Sequence, residues 1–153
     1  MKKIVDIIVE HSFFRGLSPD DLAFIGGCAK NVVFKENQVI AHFGDPANEF
    51  FLIRKGRVAV SADHPPRKPF VFYTLCSNEI LGLSSFIPPY LWTNSARAVE
   101  QTLAFAIDAT CLRDKCQQDP RMGFILMKNL VQVLVQREET ACLHLLDIYA
   151  PNP

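Results

Sequence analysis

Val32 is where the chain changes period, and that change limits the fold more than any other feature. Downstream come seven short β-rich runs: Val32–Phe34, Val39–Ile40, Phe50–Ile53, Val58–Val60, Phe70–Leu75, Ala96–Val99 and Leu103–Ile107. Turn residues divide them: Glu36-Asn37, Gly44-Asp45-Pro46, Lys55-Gly56, Pro65-Pro66 and Ser77-Asn78. Short strands at close spacing, punctuated in this way, predict an all-β sandwich or barrel. Alternation within the runs is imperfect, as expected where both faces of a strand meet apolar neighbours.

Helical patterns flank this region. Ile4, Ile7 and Ile8 recur at helical spacing in residues 2–10. Ser18-Pro19-Asp20-Asp21 is a start signal, with an N-cap serine, proline at the first helical position and acids at the positive helix end. After Asp108 a short helix is expected over Ala109–Gln118. Asp119-Pro120 then caps a longer helix that runs to about Tyr149. A helix of that length extends ~45 Å, more than a small β domain can cover. Its free end needs a partner, and a second copy of the chain is the simplest one, giving a homodimer; the alternative is that the helix folds back in two pieces over its own barrel. The organisation expected is one domain, 1–153, with N-terminal helices over 1–30, a β region over 31–108 and C-terminal helices over 109–150.

Sixteen basic residues balance sixteen acidic ones, so no electrostatic footprint for nucleic acid is present. No apolar run reaches about 18 residues, which excludes a spanning helix. Asp6 and Glu10 interrupt the apolar N-terminus and no small-residue cleavage site follows, so a cytoplasmic protein without a signal peptide is expected. The five cysteines are scattered and lack a C-x-x-C pair, which predicts buried thiols in a reducing compartment. His11, His42, His64 and His144 show no metal-ligand spacing, so no metal site is expected.

Asn78–Val99 carries the candidate site. A strand-like start breaks into Gly82, Ser84 and Ser85, passes Pro88-Pro89, and resumes a strand after Thr93. Such an insert offers unpaired backbone N–H groups and small hydroxyls, the parts that hold a small anion.

Residues Gly44 to Val58, GDPANEFFLIRKGRV, resemble the signature of cyclic nucleotide-binding domains: a turn glycine, an aromatic-led strand, then a hairpin glycine followed by valine. Phe13-Phe14-x-Gly-Leu-Ser-Pro is similar to that family's N-terminal helix entry, and Asn78-Glu79-Ile80-Leu81-Gly82-Leu83 to its phosphate-binding cassette. The resemblance covers roughly residues 11–149. It implies a double-stranded β-helix, a jelly-roll-like β-roll with N-terminal helices and a long C-terminal helix, of the cyclic AMP receptor effector type found in bacterial regulators. It also implies a non-catalytic sensor of cyclic AMP or cyclic GMP acting on an unknown effector protein. Glu79 would accept the ribose 2′-hydroxyl, and amides around Gly82 and Leu83 would face ribose and phosphate.

Two departures from the family pattern bear on the site. Asn78 stands where the cassette has glycine, a position Asn can fill in left-handed conformation. The arginine that pairs with the cyclic phosphate is absent from its place near Leu91 or Trp92. Arg97 or Arg137 would then supply the charge. Alternatively, Ser84, Ser85, Thr93, Asn94 and Ser95 would bind a less charged ligand, with Trp92 stacking on a base or closing the pocket. A closed pocket would leave a degenerate β-roll serving as a dimerisation or protein-interaction module. A cupin-type enzyme would need paired histidines that lone His42 cannot supply. The chain stops at Pro153, four residues after Tyr149, where a helix-turn-helix would have to follow for DNA reading.

Overall fold

Ser18 sets the first firm boundary. Its hydroxyl accepts the Asp21 N–H at 3.2 Å, and the Asp21 carboxylate accepts the Ser18 N–H at 2.9 Å. This reciprocal cap starts α2 (Pro19–Gly27) with proline in its first turn. Asp21 is buried, and Arg121 donates to both its oxygens at 3.0 and 2.8 Å, which joins α2 to the start of the last helix. Burial alone would raise the Asp21 pKa. The hydrogen bonds from Arg121 and Ser18 outweigh it, and the carboxyl sits below its usual range.

The computed structural model describes residues 2–63 and 65–150, so His64 and the end of the chain at Pro153 lie outside the described residues. The elements in order are α1 (Ile4–Glu10), a 3-10 turn at Ser12–Phe14, α2 (Pro19–Gly27), β1 (Ala29–Phe34), β2 (Val39–Ala41), β3 (Glu49–Lys55) and β4 (Val58–Ala62). Then come β5 (Phe70–Leu75), β6 (Ile80–Leu81), a 3-10 turn at Leu83–Phe86, β7 (Ser95–Ala98), β8 (Thr102–Asp108), α3 (Ala109–Gln118) and α4 (Pro120–Tyr149). Gly44 and Gly56 take positive φ, 87° and 103°, at the corners before β3 and between β3 and β4.

Two four-stranded antiparallel sheets, ordered β1-β8-β3-β6 and β2-β7-β4-β5, form the β-roll. Strict alternation along β3 and β8 builds two cores from one sheet. Phe50, Leu52, Phe105 and Ile107 face the helices, with Phe13, Phe14, Leu112 and Leu126. Phe51, Ile53, Ala104 and Ala106 face the roll interior, with Val58, Val60, Leu81, Trp92 and Ala96. Apolar contact on both faces is why β3 reads as a nearly continuous apolar run.

The expectation of buried thiols needs correction. The β1–β8 register, Ala29 opposite Ile107, brings the end of α2 beside the start of α3. There Cys28 and Cys111 form a disulfide, with Cα atoms 6.6 Å apart, inside the range such bridges require. Cys76 and Cys142 are exposed, and Cys116 is half-buried.

Asp108 and Asp119 cap α3 and α4 through the Cys111 and Met122 N–H groups, at 3.0 and 3.3 Å. The helix α4 is 30 residues long. Met122, Leu126, Asn129 and Leu130 are buried against the body, and Asn129 donates to the Phe13 and Arg15 carbonyls at 2.7 and 2.9 Å. Past Arg137 every described residue of α4 is exposed, including Leu143, Leu145, Leu146, Ile148 and Tyr149. That stretch projects about 18 Å. No helix among the described residues is long and apolar enough to cross a membrane.

Candidate functional site

The site begins at the turn before β6. Asn78 is left-handed, with φ 69°. Its carbonyl meets His11 Nε2 at 2.7 Å, while His11 Nδ1 accepts the Phe13 N–H at 3.1 Å. With Nδ1 accepting, Nε2 carries the proton and donates, so this arrangement needs a neutral imidazole. Burial lowers the His11 pKa, against an opposing effect of the Asn78 carbonyl. The Glu79 carboxylate turns back along the chain and accepts the Cys76 N–H at 2.6 Å.

β6 then pairs with β3, Leu81 opposite Phe51. Gly82 follows with φ 95°, and a Cβ there would lie 2.9 Å from the Trp92 ring and 3.2 Å from the Glu49 carbonyl. Only glycine fits so close a passage. After the Leu83–Phe86 turn, the proline-rich segment is tied to the Gly44–Ala47 corner. The hydrogen bonds there are Trp92 N–H to Asp45 carbonyl, Gly44 N–H to Trp92 carbonyl and Ala47 N–H to Tyr90 carbonyl, each 2.8 Å. The Arg113 guanidinium lies 3.9 Å over the Tyr90 ring and donates to the Ser85 carbonyl at 2.6 Å, which links α3 to the same segment.

These elements and α4 enclose a cavity of about 340 Å³. The cassette contributes Leu81, Gly82, Leu83, Ser84 and Ile87, and the segment before β7 contributes Trp92, Thr93 and Asn94. Val60, Tyr73 and Ala96 line it from the sheet, and Leu130, Leu134 and Arg137 from α4. Arg137 reaches inward, donates to the Ile80 carbonyl and lies 5.5 Å over the Tyr73 ring. Trp92 is buried and stacks on Phe51 at 6.4 Å and 25°.

Of the residues named from sequence, Gly82, Leu83, Ser84, Trp92, Thr93, Asn94 and Arg137 come together around this cavity. Glu79, Ser85, Ser95 and Arg97 are not in its lining. Ser95 Oγ accepts the Phe43 N–H at 3.0 Å. Arg97 is exposed and donates to the Asn37 carbonyl at 2.7 Å. Ser85 is fully buried, and its hydroxyl finds no partner among the described residues. Sequence reasoning missed Tyr73, which the alternation of β5 could have supplied, since Phe72 and Thr74 on either side are exposed. It also missed Leu130 and Leu134, visible only once α4 is folded across the cassette. Among the described residues no cluster of His, Cys, Asp and Glu is suited to a metal ion.

A family model described as the cyclic nucleotide-binding domain matches residues 31–119. The chain belongs to the cyclic nucleotide-binding domain family. Over 132 residues this domain is 21% identical to a CRP-like cAMP-activated global transcriptional regulator of Mycobacterium tuberculosis, covering 86% of the chain and 57% of the regulator. It is 29% identical to Glutaminase 1 of Bradyrhizobium diazoefficiens, over 85% of the chain and 20% of that protein. The domain therefore spans only part of the length of these relatives. A Geobacter metallireducens crystal structure classed with the cyclic nucleotide-binding proteins superposes with a TM-score of 0.79 at 25% identity, covering 90% of this chain and 98% of the other.

Proposed function

We propose that the domain is a non-catalytic sensor in which a small anion, held in the 78–99 cassette, sets the position of α4. The observation that carries this reading is Arg137. A fixed fork with full charge, projecting from α4 into the cavity, is a suitable counter-ion for a phosphate or carboxylate. It belongs to the helix that runs on into exposed apolar residues. A ligand that engages it acts directly on the element able to carry a signal to an effector protein.

Cyclic AMP and cyclic GMP head the panel of anions, because the family is defined by cyclic nucleotides. A ligand that binds only the folded state raises the melting temperature. The expected result is a concentration-dependent rise with at least one anion of the panel that Arg137→Gln removes. A melting temperature unmoved by every anion would overturn the sensor reading.

A second reading has its own observation. Leu143, Leu145, Leu146, Ile148 and Tyr149 are all more than half exposed on the projecting end of α4. Among the described residues of a single copy nothing buries them, and a parallel second copy would, so the domain also serves as a homodimerisation module through α4. The two readings are compatible if the ligand adjusts the angle between paired helices.

A further inference from the structure

The chemistry of the cavity is lopsided. Among the described residues its lining holds one cation, Arg137, and no carboxylate. Its wall is mainly apolar, with leucines and a valine beside the buried Trp92 indole, and Ser84, Thr93 and Asn94 supply its neutral polar groups. The nearest acid of the cassette, Glu79, is held on the Cys76 N–H outside that wall. Arg137 meets one hydrogen-bond acceptor among the described residues, the Ile80 carbonyl. The other N–H groups of its fork remain for a guest, and its stacking on Tyr73 fixes where they point.

A sugar phosphate satisfies the cation but brings hydroxyls that need strong acceptors. Here only the neutral groups of Ser84, Thr93 and Asn94 could receive them, the rest of the wall is apolar, and a hydroxyl buried there without a partner is costly. A guest with a single negative end and an apolar remainder leaves no such group unpaired. From this we infer that the cavity prefers an organic monocarboxylate with an apolar body, its carboxylate on Arg137 and its ring or chain against Trp92 and the leucines. This rests on the reading of the cavity as a ligand site and names the class of ligand.

The chain's single tryptophan lines the cavity, so its fluorescence reports occupancy directly. The probes are 4-butylbenzoate, the uncharged 4-butylbenzyl alcohol of the same shape, and cyclic AMP. Saturable change with 4-butylbenzoate is expected, roughly tenfold tighter than with the alcohol, as a charge-assisted pair provides. Cyclic AMP is expected to bind more weakly than 4-butylbenzoate. Arg137→Gln should remove the preference for the acid over the alcohol, and Arg137→Lys should restore part of it. Equal binding of acid and alcohol by the unaltered chain overturns the proposal without recourse to any variant. Tighter binding of cyclic AMP overturns the ligand class but keeps the sensor reading, whereas silence from all three probes removes both.

Discussion

The sheet β1-β8-β3-β6 has one filled side and one hollow side. Toward the helices it presents Phe50, Leu52, Phe105 and Ile107, and the space is packed with rings: Phe50 lies 4.9 Å from Phe86 and 6.2 Å from Phe13. Toward the roll interior, β8 presents Ala104 and Ala106, with Ala41, Ala47 and Ala96 nearby. Trp92 occupies part of this interior, and Ala96 also lines the cavity. The same two strands thus carry a ring-packed core on one face and, on the other, a core with smaller side chains that adjoins the cavity through Leu81, Trp92 and Ala96. Period-2 alternation is enough to separate the two tasks.

The sharpest way to break this division is on the filled side. Phe50→Ala should destabilise by about 3–5 kcal/mol, since the void lies among buried rings that cannot collapse into it. Chemical denaturation would measure it, and a loss below about 1 kcal/mol would mean that the helical face is not the stabilising one. On the hollow side, Gly82→Ala should cost about 1–3 kcal/mol, combining left-handed strain with displacement of Trp92. A shift of tryptophan fluorescence should accompany it, because the indole is the atom group nearest the added carbon.

His11 connects the two sides, since it lies against the helical core yet holds the cassette turn. Its folded pKa is lowered, so the unfolded chain binds the proton more readily. Its contribution is complete above the unfolded value of about 6.5 and fades as pH falls through the interval below it. The melting temperature should therefore drop between neutral and mildly acidic pH, and His11→Gln should flatten that part of the profile. The smallest effect on stability is expected at the end of α4. Replacing Leu145 and Ile148 with lysine should change it by no more than about 0.5 kcal/mol in a monomer. Light scattering should nevertheless show the mass per particle halved, and an unchanged dimer would move the interface elsewhere.

The helices were the most legible part of this chain. Asp108 and Asp119 announce their own N-caps, so α3 and α4 begin where the residue types predict. The strands were legible to within a few residues, with β6 the exception: two residues cannot show a period. The site was less legible, for a geometric reason. Spacing places Glu79 and Arg97 beside the cassette. Side-chain direction then decides otherwise, because Glu79 folds back onto the Cys76 N–H and Arg97 falls on the outer face of β7. Arg137, fifty-five positions beyond Gly82 in the chain, reaches the cavity because α4 lies across it.

That placement has an evolutionary consequence. One guanidinium both fastens a helix to the β-roll and offers the charge that a guest would meet. Exchanging residue 137 to welcome another guest would at the same time loosen the fastening. Changes of taste in descendants of this chain should therefore accumulate in the walls of the cavity, at positions such as 83, 94 and 134, while the arginine stays.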